Sequence, residues 1–312
     1  RYPLVTGVQT CALPISLVLA GESTTGKTFF ALSLVRNFLD QYKDGQVFYF
    51  DTESAITNDM LASRGIDTER IAKSEPDSIE KFRTVAVRAL DKYLEIPEDK
   101  RFPMLMVLDS LSALPSKKET EDITNEKDAR DMTKSQLIKG AFRVLRLKLA
   151  KAKVPLIVTN HVYAVIGAYV PTKEMSGGSG AKYAADTIAF LSKSKERDND
   201  KKVIGNIVKV RMVKSRMTKE ETVVETRILF DGGLDRYYGL LDYGQEAGFI
   251  ARVGNKYEFP NGVKAFESQV LANPEKFFTQ EILEQLNAHM KEQFLYTGEP
   301  PVDISELEEV AE

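Results

Sequence analysis

The sequence predicts an α/β protein with a mostly parallel twisted sheet, an antiparallel extension of that sheet and a small α+β domain at its C-terminal end. Two observations carry this prediction. Short apolar runs alternate with helical stretches through the first half of the chain, and the octet GESTTGKT stands between the first run and the first helix. A length of 312 residues with 43% hydrophobic residues is enough for about two domains with a sizeable core.

The first half of the chain has the rhythm of strand and helix in alternation. The strand-like runs are SLVLA, QVFYFD, MLMVLD and PLIVTN, and the predicted helices cover 27–41, 58–64, 78–94 and 126–152. Because parallel strands need crossover connections, this alternation favours a parallel sheet with helices on both faces. Ligands of such sheets bind at the carboxyl ends of the strands.

The second half of the chain has a different pattern. After Asp186, the runs ADTIAFLSKS, GNIVKVRMVKS and ETRILFDGG are separated by turn residues, and they predict antiparallel strands that extend the sheet. A smaller domain is predicted over 240–298. Its parts are a helix at YGLLDYGQEAGF, a hairpin with an Asn-Gly turn at ARVGNKYEFPNG, and two helices over 263–293 that break at Asn273-Pro274.

The two ends of the chain are expected to lie outside the fold. Residues 5–15, VTGVQTCALPI, look like the translation of a sequencing-adapter oligonucleotide, so we interpret 1–15 as an artefact in place of a native segment. The only cysteine, Cys11, lies there, so no disulfide or cysteine metal site is expected. Residues 299–312 contain six acidic residues and no basic ones, which predicts a disordered acidic tail.

Composition limits the classes of function. No apolar run approaches the roughly 18 residues that a membrane helix needs. No export signal opens the chain either, which predicts a cytoplasmic protein. The net charge of −3 argues against a generally basic surface, but a local basic strip is enough to bind nucleic acid.

The octet GESTTGKT fits the pattern G-x-x-x-x-G-K-[ST] of phosphate-binding loops. In such a loop, backbone N–H groups surround the phosphates, the lysine reaches the β and γ oxygens, and the final hydroxyl holds Mg²⁺. The flanking strand and helix N-terminus provide the context that the motif requires. The predicted nucleotide-binding residues are Gly21, Glu22, Ser23, Thr24, Thr25, Gly26, Lys27 and Thr28, and Thr28 is also a predicted metal ligand.

Polar residues follow three other predicted strands at the same edge of the sheet. Asp109 ends MLMVLD, where a P-loop ATPase places a carboxylate for the Mg²⁺ shell. Glu53 stands just past QVFYFD, on the strand face of Asp51, and it is either a group that orients water or a solvated carboxylate. His161 leaves PLIVTN, where a γ-phosphate contact and a structural role are both open.

Two loops are candidates for contact with nucleic acid. Roughly twenty loop residues follow His161, which is too long for an ordinary connection. This segment carries aromatic, cationic and glycine residues suited to a single strand: Tyr163, Tyr169, Lys173, Gly177, Gly178, Gly180 and Lys182. The loop after Asp109 carries Lys117 and Lys118 among acidic residues, which alone indicates a solvated charge run.

Together these segments resemble the RecA-type strand-exchange recombinases, and most closely their phage UvsX branch. The resemblance runs from Ser16 to about Leu286 through the stretches GESTTGKT, FDTESAIT, VLDSLSALPSKKETED, TNHVY, GGSGAKYAADT, VKSRMTKE and FDGGLDRYYGLLDYGQEAGF. It implies a RecA-like P-loop ATPase core over 16–239. It also implies that Lys27 and Thr28 bind MgATP, that Asp109 supports the metal, that Glu53 activates water, and that His161 couples the γ-phosphate to the long loop.

The resemblance further implies that the loops after Asp109 and His161 line the DNA path. It implies that Lys214 and Arg216 reach the ATP site of a neighbouring protomer, although without it two exposed strand-end charges would be the preferred interpretation. Met60 stands where the family usually stacks an aromatic residue on adenine, so a weaker base contact is expected.

The function implied by the resemblance is ATP-dependent DNA strand exchange in phage recombination, repair and replication, in the cytoplasm of a bacterial host. The implied cofactors are ATP and Mg²⁺. The implied partners are single- and double-stranded DNA, further copies in a helical filament, a loading mediator and a single-strand-binding protein. Two alternatives stay open: a hexameric helicase-type motor of the same fold, and a nucleotide-gated DNA-binding module without productive turnover.

Overall fold

The computed structural model describes residues 16–294, apart from 126–132, 165–172, 178–179, 181, 183–184, 199, 217 and 232. The strands are β1 Ser16–Gly21, β2 Gln46–Asp51, β3 Ile71–Ser74, β4 Met104–Asp109, β5 Leu156–Ala164, β6 Lys173–Met175, β7 Thr187–Arg197, β8 Val203–Lys214, β9 Val223–Leu229, β10 Gly233–Leu234, β11 Ala251–Val253, β12 Lys256–Glu258 and β13 Lys264–Phe266. The α-helices are α1 Lys27–Gln41, α2 Asn58–Ser63, α3 Ile79–Glu95, α4 Lys117–Thr124, α5 Lys134–Ala152, α6 Leu240–Glu246, α7 Glu267–Ala272, α8 Pro274–Phe277 and α9 Gln280–Phe294. The adapter-like segment and the acidic tail lie outside the described residues.

The main sheet of the described chain has the strand order β10-β9-β8-β7-β1-β5-β4-β2-β3, with β6 paired to β5. The predicted parallel core is confirmed, because β1, β5, β4, β2 and β3 pair in parallel. The predicted antiparallel extension needs one correction. Within this extension, β7 pairs in parallel with β1, and β8 is the first strand that pairs antiparallel with its neighbour. The reason is that the chain returns, after β5, to the level at which the parallel strands begin. β7 therefore runs in the same direction as β1.

Helices cover both faces of the sheet. Alternate residues of β4 point to opposite faces, and all six are buried, as expected of a strand packed on both sides. One face packs against α3 and α5 through Phe82 and Phe142. The other packs against α1 and α2 through Val35 and Leu61. The second face also carries the side chains that form the candidate site.

Several predicted boundaries differ from the structure. β5 continues through His161 to Ala164 because it pairs with β6, and the short strand β3 was not predicted. The predicted helix over 126–152 begins, in the described chain, at Lys134 as α5.

The C-terminal region has its own hydrophobic cluster, which includes Leu241, Tyr257, Phe278 and Leu286. The predicted Asn-Gly turn joins β12 to β13, and the turn between β11 and β12 is at 254–255. Three helices, rather than two, follow in the described chain, since α7, α8 and α9 are interrupted at Asn273 and again after α8. The domain boundary at Leu240 stays a prediction. None of the helices in the described part of the chain is both long and apolar enough to cross a membrane.

Candidate nucleotide and nucleic-acid site

The strand register brings the predicted nucleotide site together at the carboxyl edge of the parallel strands. Gly21 at the end of β1 lies opposite His161 in β5, and Asp51 at the end of β2 lies opposite Asp109 at the end of β4. These positions share the sheet face on which α1 packs. Residues from four distant parts of the sequence therefore meet at one edge.

The phosphate-binding loop needs its two glycines for different reasons. A Cβ atom on Gly21 would lie 2.5 Å from Thr25 Oγ1 and 2.8 Å from the carbonyl oxygen of Leu191, so close packing excludes a side chain there. Gly26 has a φ of 93° and is the N-cap of α1. That left-handed conformation favours glycine. Between these two glycines, the loop residues Glu22, Ser23 and Thr24 are exposed to solvent.

Lys27 is buried beneath this loop. Its ammonium donates hydrogen bonds to the carbonyl oxygens of Gly21 at 3.1 Å and Glu22 at 2.8 Å. Burial lowers the pKa of Lys27, and the nearby carboxylates of Glu53 and Asp109 partly oppose that shift. The cation is therefore held in an environment where an anionic ligand would stabilise its charged form.

Glu53 lies in the bend after β2, and its position is fixed by neighbouring groups. Ser110 Oγ donates to Glu53 Oε1 at 2.6 Å, and His161 Nε2 lies 3.8 Å from the same oxygen. The predicted common strand face with Asp51 is corrected, because β2 ends at Asp51 and Glu53 is outside the pleat. Asp51 instead is buried and accepts hydrogen bonds from the backbone N–H groups of Glu53, Ala55 and Ile56, which hold the bend in place.

Asp109 is only 5% exposed at the end of β4. Tyr49 Oη donates to Asp109 Oδ2 at 2.8 Å, and the hydroxyl of Thr159 donates to Oδ1. The charge of this carboxylate partly opposes the lowering of the Lys27 pKa, so the two groups interact electrostatically. The sequence pattern identified Asp109 but not the two hydroxyl groups that hold it.

His161 connects the nucleotide side of the site to the segment that follows. Burial, and then the positive charge of Lys27, lower the pKa of His161, while Glu53 opposes the shift, so the imidazole is neutral at neutral pH. The carbonyl oxygen of His161 accepts from the Ser176 N–H at 2.8 Å, and Asn160 Nδ2 donates to the Ser176 carbonyl at 2.9 Å. Sequence reasoning did not predict this connection through Ser176.

The predicted DNA-contacting loop after His161 is partly a β-hairpin. Tyr163 lies in β5 and Lys173 lies in β6, paired in antiparallel register through Val162 and Met175. Tyr163 is 60% exposed. Lys173 forms an ion pair with Glu22 of the phosphate-binding loop at 2.7 Å. The prediction of a continuous loop is therefore wrong at its start, 162–164, and at 173–175, because main-chain pairing orders these residues.

Two glycines of this segment, Gly177 and Gly180, pack against α5. A Cβ atom on Gly177 would lie 2.6 Å from Ile138 Cδ1, and one on Gly180 would lie 3.0 Å from the backbone nitrogen of Lys139. Their small size is thus required for packing, apart from any contact with DNA. Lys182 is exposed. Tyr169 and Gly178 lie outside the described residues.

Lys117 and Lys118 open a helix, so their predicted loop placement is wrong. Ser116 and Glu119 form a reciprocal capping box that starts α4 at Lys117. The N–H of Lys117 also donates to the carboxylate of Glu80. Both lysine residues are exposed.

Lys214 and Arg216 lie on the side of the sheet toward the amino ends of the parallel strands, away from the phosphate-binding loop. Lys214 is in register with Ile188, which is opposite Val18, whereas the phosphate-binding loop begins at Gly21. Lys214 Nζ donates to the carbonyl oxygens of Lys182 and Ala185, and Arg216 forms an ion pair with Asp186 at 3.0 Å. Burial lowers the pKa of Lys214, and the charge of Arg216 lowers it further.

Met60 lies in α2, where its backbone N–H donates to the Thr57 hydroxyl at 3.2 Å. Its partly buried side chain packs against the same hydrophobic cluster as α1. Thr28 lies in the first turn of α1 and is partly buried. In the described part of the chain, neither side chain makes a polar contact with Glu53 or His161.

The comparisons with known proteins agree with this architecture. Residues 11–235 match the family described as the RecA N-terminal domain. A "Recombination and repair protein" of Enterobacteria phage T4 is 35% identical over 239 residues, which cover 77% of this chain and 59% of the phage protein. A "Protein RecA" of Nocardioides sp. is 28% identical over 245 residues, 77% of this chain and 65% of that protein. A "Protein RecA" of Thermotoga neapolitana is 26% identical over 279 residues, 88% of this chain and 76% of that protein.

This chain therefore spans about three fifths of the length of the phage relative. The family match begins at position 11, within the segment that looks adapter-derived, and runs through the last strand of the large sheet. Because that match covers most of the chain, the chain belongs to the RecA N-terminal domain family.

Proposed function

We propose that the chain is an ATP-dependent recombinase that assembles on single-stranded DNA as a filament and pairs it with a homologous duplex. ATP hydrolysis would then release the DNA. This proposal is supported by family membership, by the names of the phage T4 and bacterial relatives, and by the convergence of Lys27, Glu53, Asp109 and His161 at one sheet edge.

The residues present fit a triphosphate with Mg²⁺. The close approach at Gly21 and the left-handed turn at Gly26 suit a loop that presents its backbone to phosphate. The Thr28 hydroxyl and the Asp109 carboxylate are oxygen donors of the kind that Mg²⁺ prefers. When bound, Mg²⁺ would neutralise charge on the β and γ phosphates. Lys27 would leave the loop carbonyls to contact the same phosphates.

In the proposed hydrolysis, Glu53 orients a water molecule in line with the γ-phosphate and accepts its proton. The hydrogen bond from Ser110 holds one carboxylate oxygen, which leaves the other available to the water. Neutral His161 would contact the γ-phosphate. The hydrogen bonds through Asn160 and Ser176 would carry that contact to the hairpin that bears Lys173.

The basic pair Lys214 and Arg216 would serve the ATP site of a neighbouring copy. This role is supported by the position of Lys214, which lies level with Val18 and thus three residues before the start of the phosphate-binding loop of its own chain. A cation supplied across an interface stabilises the transition state of phosphoryl transfer. The DNA would be contacted, mainly at its phosphates, by the exposed side chains of Lys117, Lys118, Tyr163, Lys173 and Lys182. The affinity for DNA should therefore depend steeply on salt concentration and little on base sequence.

The single observation that carries the proposal is the placement of Glu53 between Ser110 and His161. The test is Glu53→Gln, with Glu98→Gln as a matched control. Glu98 pairs with Lys153 at an exposed site away from the phosphate-binding loop. ATP turnover and ATP-dependent binding of a labelled single strand are measured for each variant.

We expect Glu53→Gln to lose hydrolysis by a factor of about 10² or more, which is the usual contribution of a positioned acid–base group. It should keep ATP-dependent DNA binding, and Glu98→Gln should keep both. Equal loss of both activities in Glu53→Gln would assign Glu53 a structural role. DNA binding by the wild-type chain that is indifferent to ATP would reject the recombinase proposal.

A further inference from the structure

The carboxylate of Asp109 has an unusual degree of support for a group at the end of a strand. Tyr49 Oη donates to Oδ2 at 2.8 Å, and the Thr159 hydroxyl donates to Oδ1. Each carboxylate oxygen thus accepts one hydroxyl hydrogen bond. Tyr49 and Thr159 are both 0% exposed, so bulk water does not compete for these contacts.

The strand register explains how the three residues meet. Asp109 lies opposite Asp51, so Tyr49 is two residues back along β2 and on the same face. The register between β4 and β5 pairs Leu108 with Val158, which puts Thr159 beside Asp109. The two hydroxyls therefore approach from the strands on either side of β4.

The hydroxyl groups are not needed to fill space. Tyr49 lies within a hydrophobic cluster that includes Val47, Leu61 and Val107, where a phenylalanine ring would occupy the same volume. A buried tyrosine hydroxyl needs a polar partner, and Asp109 provides it for Tyr49. The same holds for Thr159, whose shape valine would reproduce. The polar atoms of these two residues act on one carboxylate.

We propose that Tyr49 and Thr159 are positioning residues that set the orientation of the Asp109 carboxylate for Mg²⁺. This inference rests on the proposed MgATP site. Two fixed donors hinder rotation of the carboxylate about the Cβ–Cγ bond and leave further acceptor capacity on each oxygen for a hydrated metal ion. Mg²⁺ demands near-ideal octahedral geometry. A carboxylate whose orientation is already fixed should therefore bind hydrated Mg²⁺ more tightly than a carboxylate that is free to rotate.

The test uses Tyr49→Phe and Thr159→Val, each of which removes one hydroxyl at nearly constant shape. The probe is a fluorescent, non-hydrolysable ATP analogue, whose binding is titrated with Mg²⁺ and is also measured in EDTA. Thr159→Ser restores the hydroxyl. Tyr93→Phe is the matched control, because Tyr93 is a buried tyrosine whose hydroxyl donates to the Phe102 carbonyl at 2.7 Å on the other sheet face.

We expect each removal to raise the Mg²⁺ concentration at half-saturation about 10-fold or more, the range seen when a group supporting a metal ligand is lost. Analogue binding in EDTA should stay unchanged, Thr159→Ser should recover the wild-type midpoint, and Tyr93→Phe should not move it. A wild-type midpoint in both Tyr49→Phe and Thr159→Val would overturn the inference. If Tyr49→Phe does not fold, the Thr159→Val and Thr159→Ser pair decides the question.

The same titration separates the two levels of the proposal. Wild-type protein that binds the analogue with no dependence on Mg²⁺ would reject the proposed MgATP site, and the inference with it. Wild-type protein that depends on Mg²⁺, with variants that depend on it equally, would leave the proposed function standing and reject only the roles of Tyr49 and Thr159.

Discussion

At the residue scale, Gly21 is required because the chain packs closely around it. A Cβ atom there would approach Thr25 Oγ1 to 2.5 Å and a main-chain oxygen of Leu191 to 2.8 Å. The hydroxyl could rotate away, but the carbonyl belongs to the central strand β7 and cannot. A substitution must therefore move β1 or the loop.

We predict that Gly21→Ala lowers the free energy of unfolding by about 1–3 kcal/mol, as overpacking of a close contact usually does. The control is Gly140→Ala in α5, where a Cβ atom would meet nothing within 4 Å. That change should be neutral or should stabilise the protein by up to about 1 kcal/mol, because alanine is the better helix former. Urea unfolding of both variants measures the difference. Equal stability of the two would show that the β1–β7 contact yields easily.

The residues that form the candidate site were more predictable than the residues that hold it. The phosphate-binding loop could be found because its parts are consecutive, and Asp109 because it ends an apolar strand. The roles of Tyr49, Thr159 and Ser110 depend on which strands are neighbours in the sheet. That order is a property of the folded chain, and an alternation pattern does not contain it.

At the element scale, the sequence predicted β1 and β4 well because each is a continuous apolar run buried on both faces. It failed for β3 and β6, which have four and three residues and depend on pairing with a neighbour. It also failed for α4, where charged residues hide any apolar periodicity. The capping pattern of Ser116 and Glu119 was the available signal there.

The hairpin of β5 and β6 is tied to the phosphate-binding loop by the ion pair of Lys173 and Glu22. Lys173 lowers the pKa of the Glu22 carboxyl through a hydrogen bond and its charge. The two side chains are 47% and 60% exposed, so solvent screens the pair and it contributes little to stability. DNA phosphate would compete with Glu22 for the same ammonium group.

We predict that Lys173→Met and Glu22→Gln change DNA binding in opposite directions. Lys173→Met should weaken binding of a single strand and reduce the slope of log K against log salt by about 0.7, the value for one lost phosphate contact. Glu22→Gln should strengthen binding, because it removes the competitor and keeps the cation. Fluorescence anisotropy over a range of salt concentrations measures both.

The control for this pair is Lys153→Met, which breaks a similarly exposed ion pair with Glu98. It should leave both the affinity and the salt slope as in the wild type. Weaker binding by Glu22→Gln would mean that the ion pair helps to form the DNA surface. A normal salt slope in Lys173→Met would remove Lys173 from that surface.

At the scale of the whole molecule, the phosphate-binding loop and the pair Lys214 and Arg216 lie at different levels along the strands of one sheet. The phosphate-binding loop begins at the carboxyl end of β1, and Lys214 lies level with Val18, three residues back or roughly 10 Å along the strand direction at about 3.3 Å per residue. A head-to-tail contact between two copies would bring Lys214 and Arg216 of one copy to the phosphate-binding loop of the next. Such a contact is heterologous and, if it does not close, builds a helical filament.

This arrangement predicts complementation between two inactive variants. Lys27→Ala removes the lysine of the phosphate-binding loop, and Lys214→Ala removes the cation proposed to act in the neighbouring copy. Each alone should lose DNA-stimulated ATP turnover by a factor of about 10³ or more, in line with the loss of a cation supplied across an interface. In a random equal mixture, about one interface in four pairs an intact loop with an intact cation, so part of the activity should return.

ATP turnover is measured across mixing ratios, with unfolding curves for each variant, because Lys214→Ala leaves the Lys182 and Ala185 carbonyl oxygens without their ammonium donor. Lys209→Ala is the control on the same strand, since Lys209 pairs with Glu225 on the sheet surface. The Lys209→Ala variant should keep ATP turnover without being mixed with another variant. Recovery that is greatest near equal mixing would place Lys214 in the site of the next copy. Folded variants that stay inactive at every ratio would instead assign Lys214 to its own protomer, where its bonds to the chain before β7 would be structural.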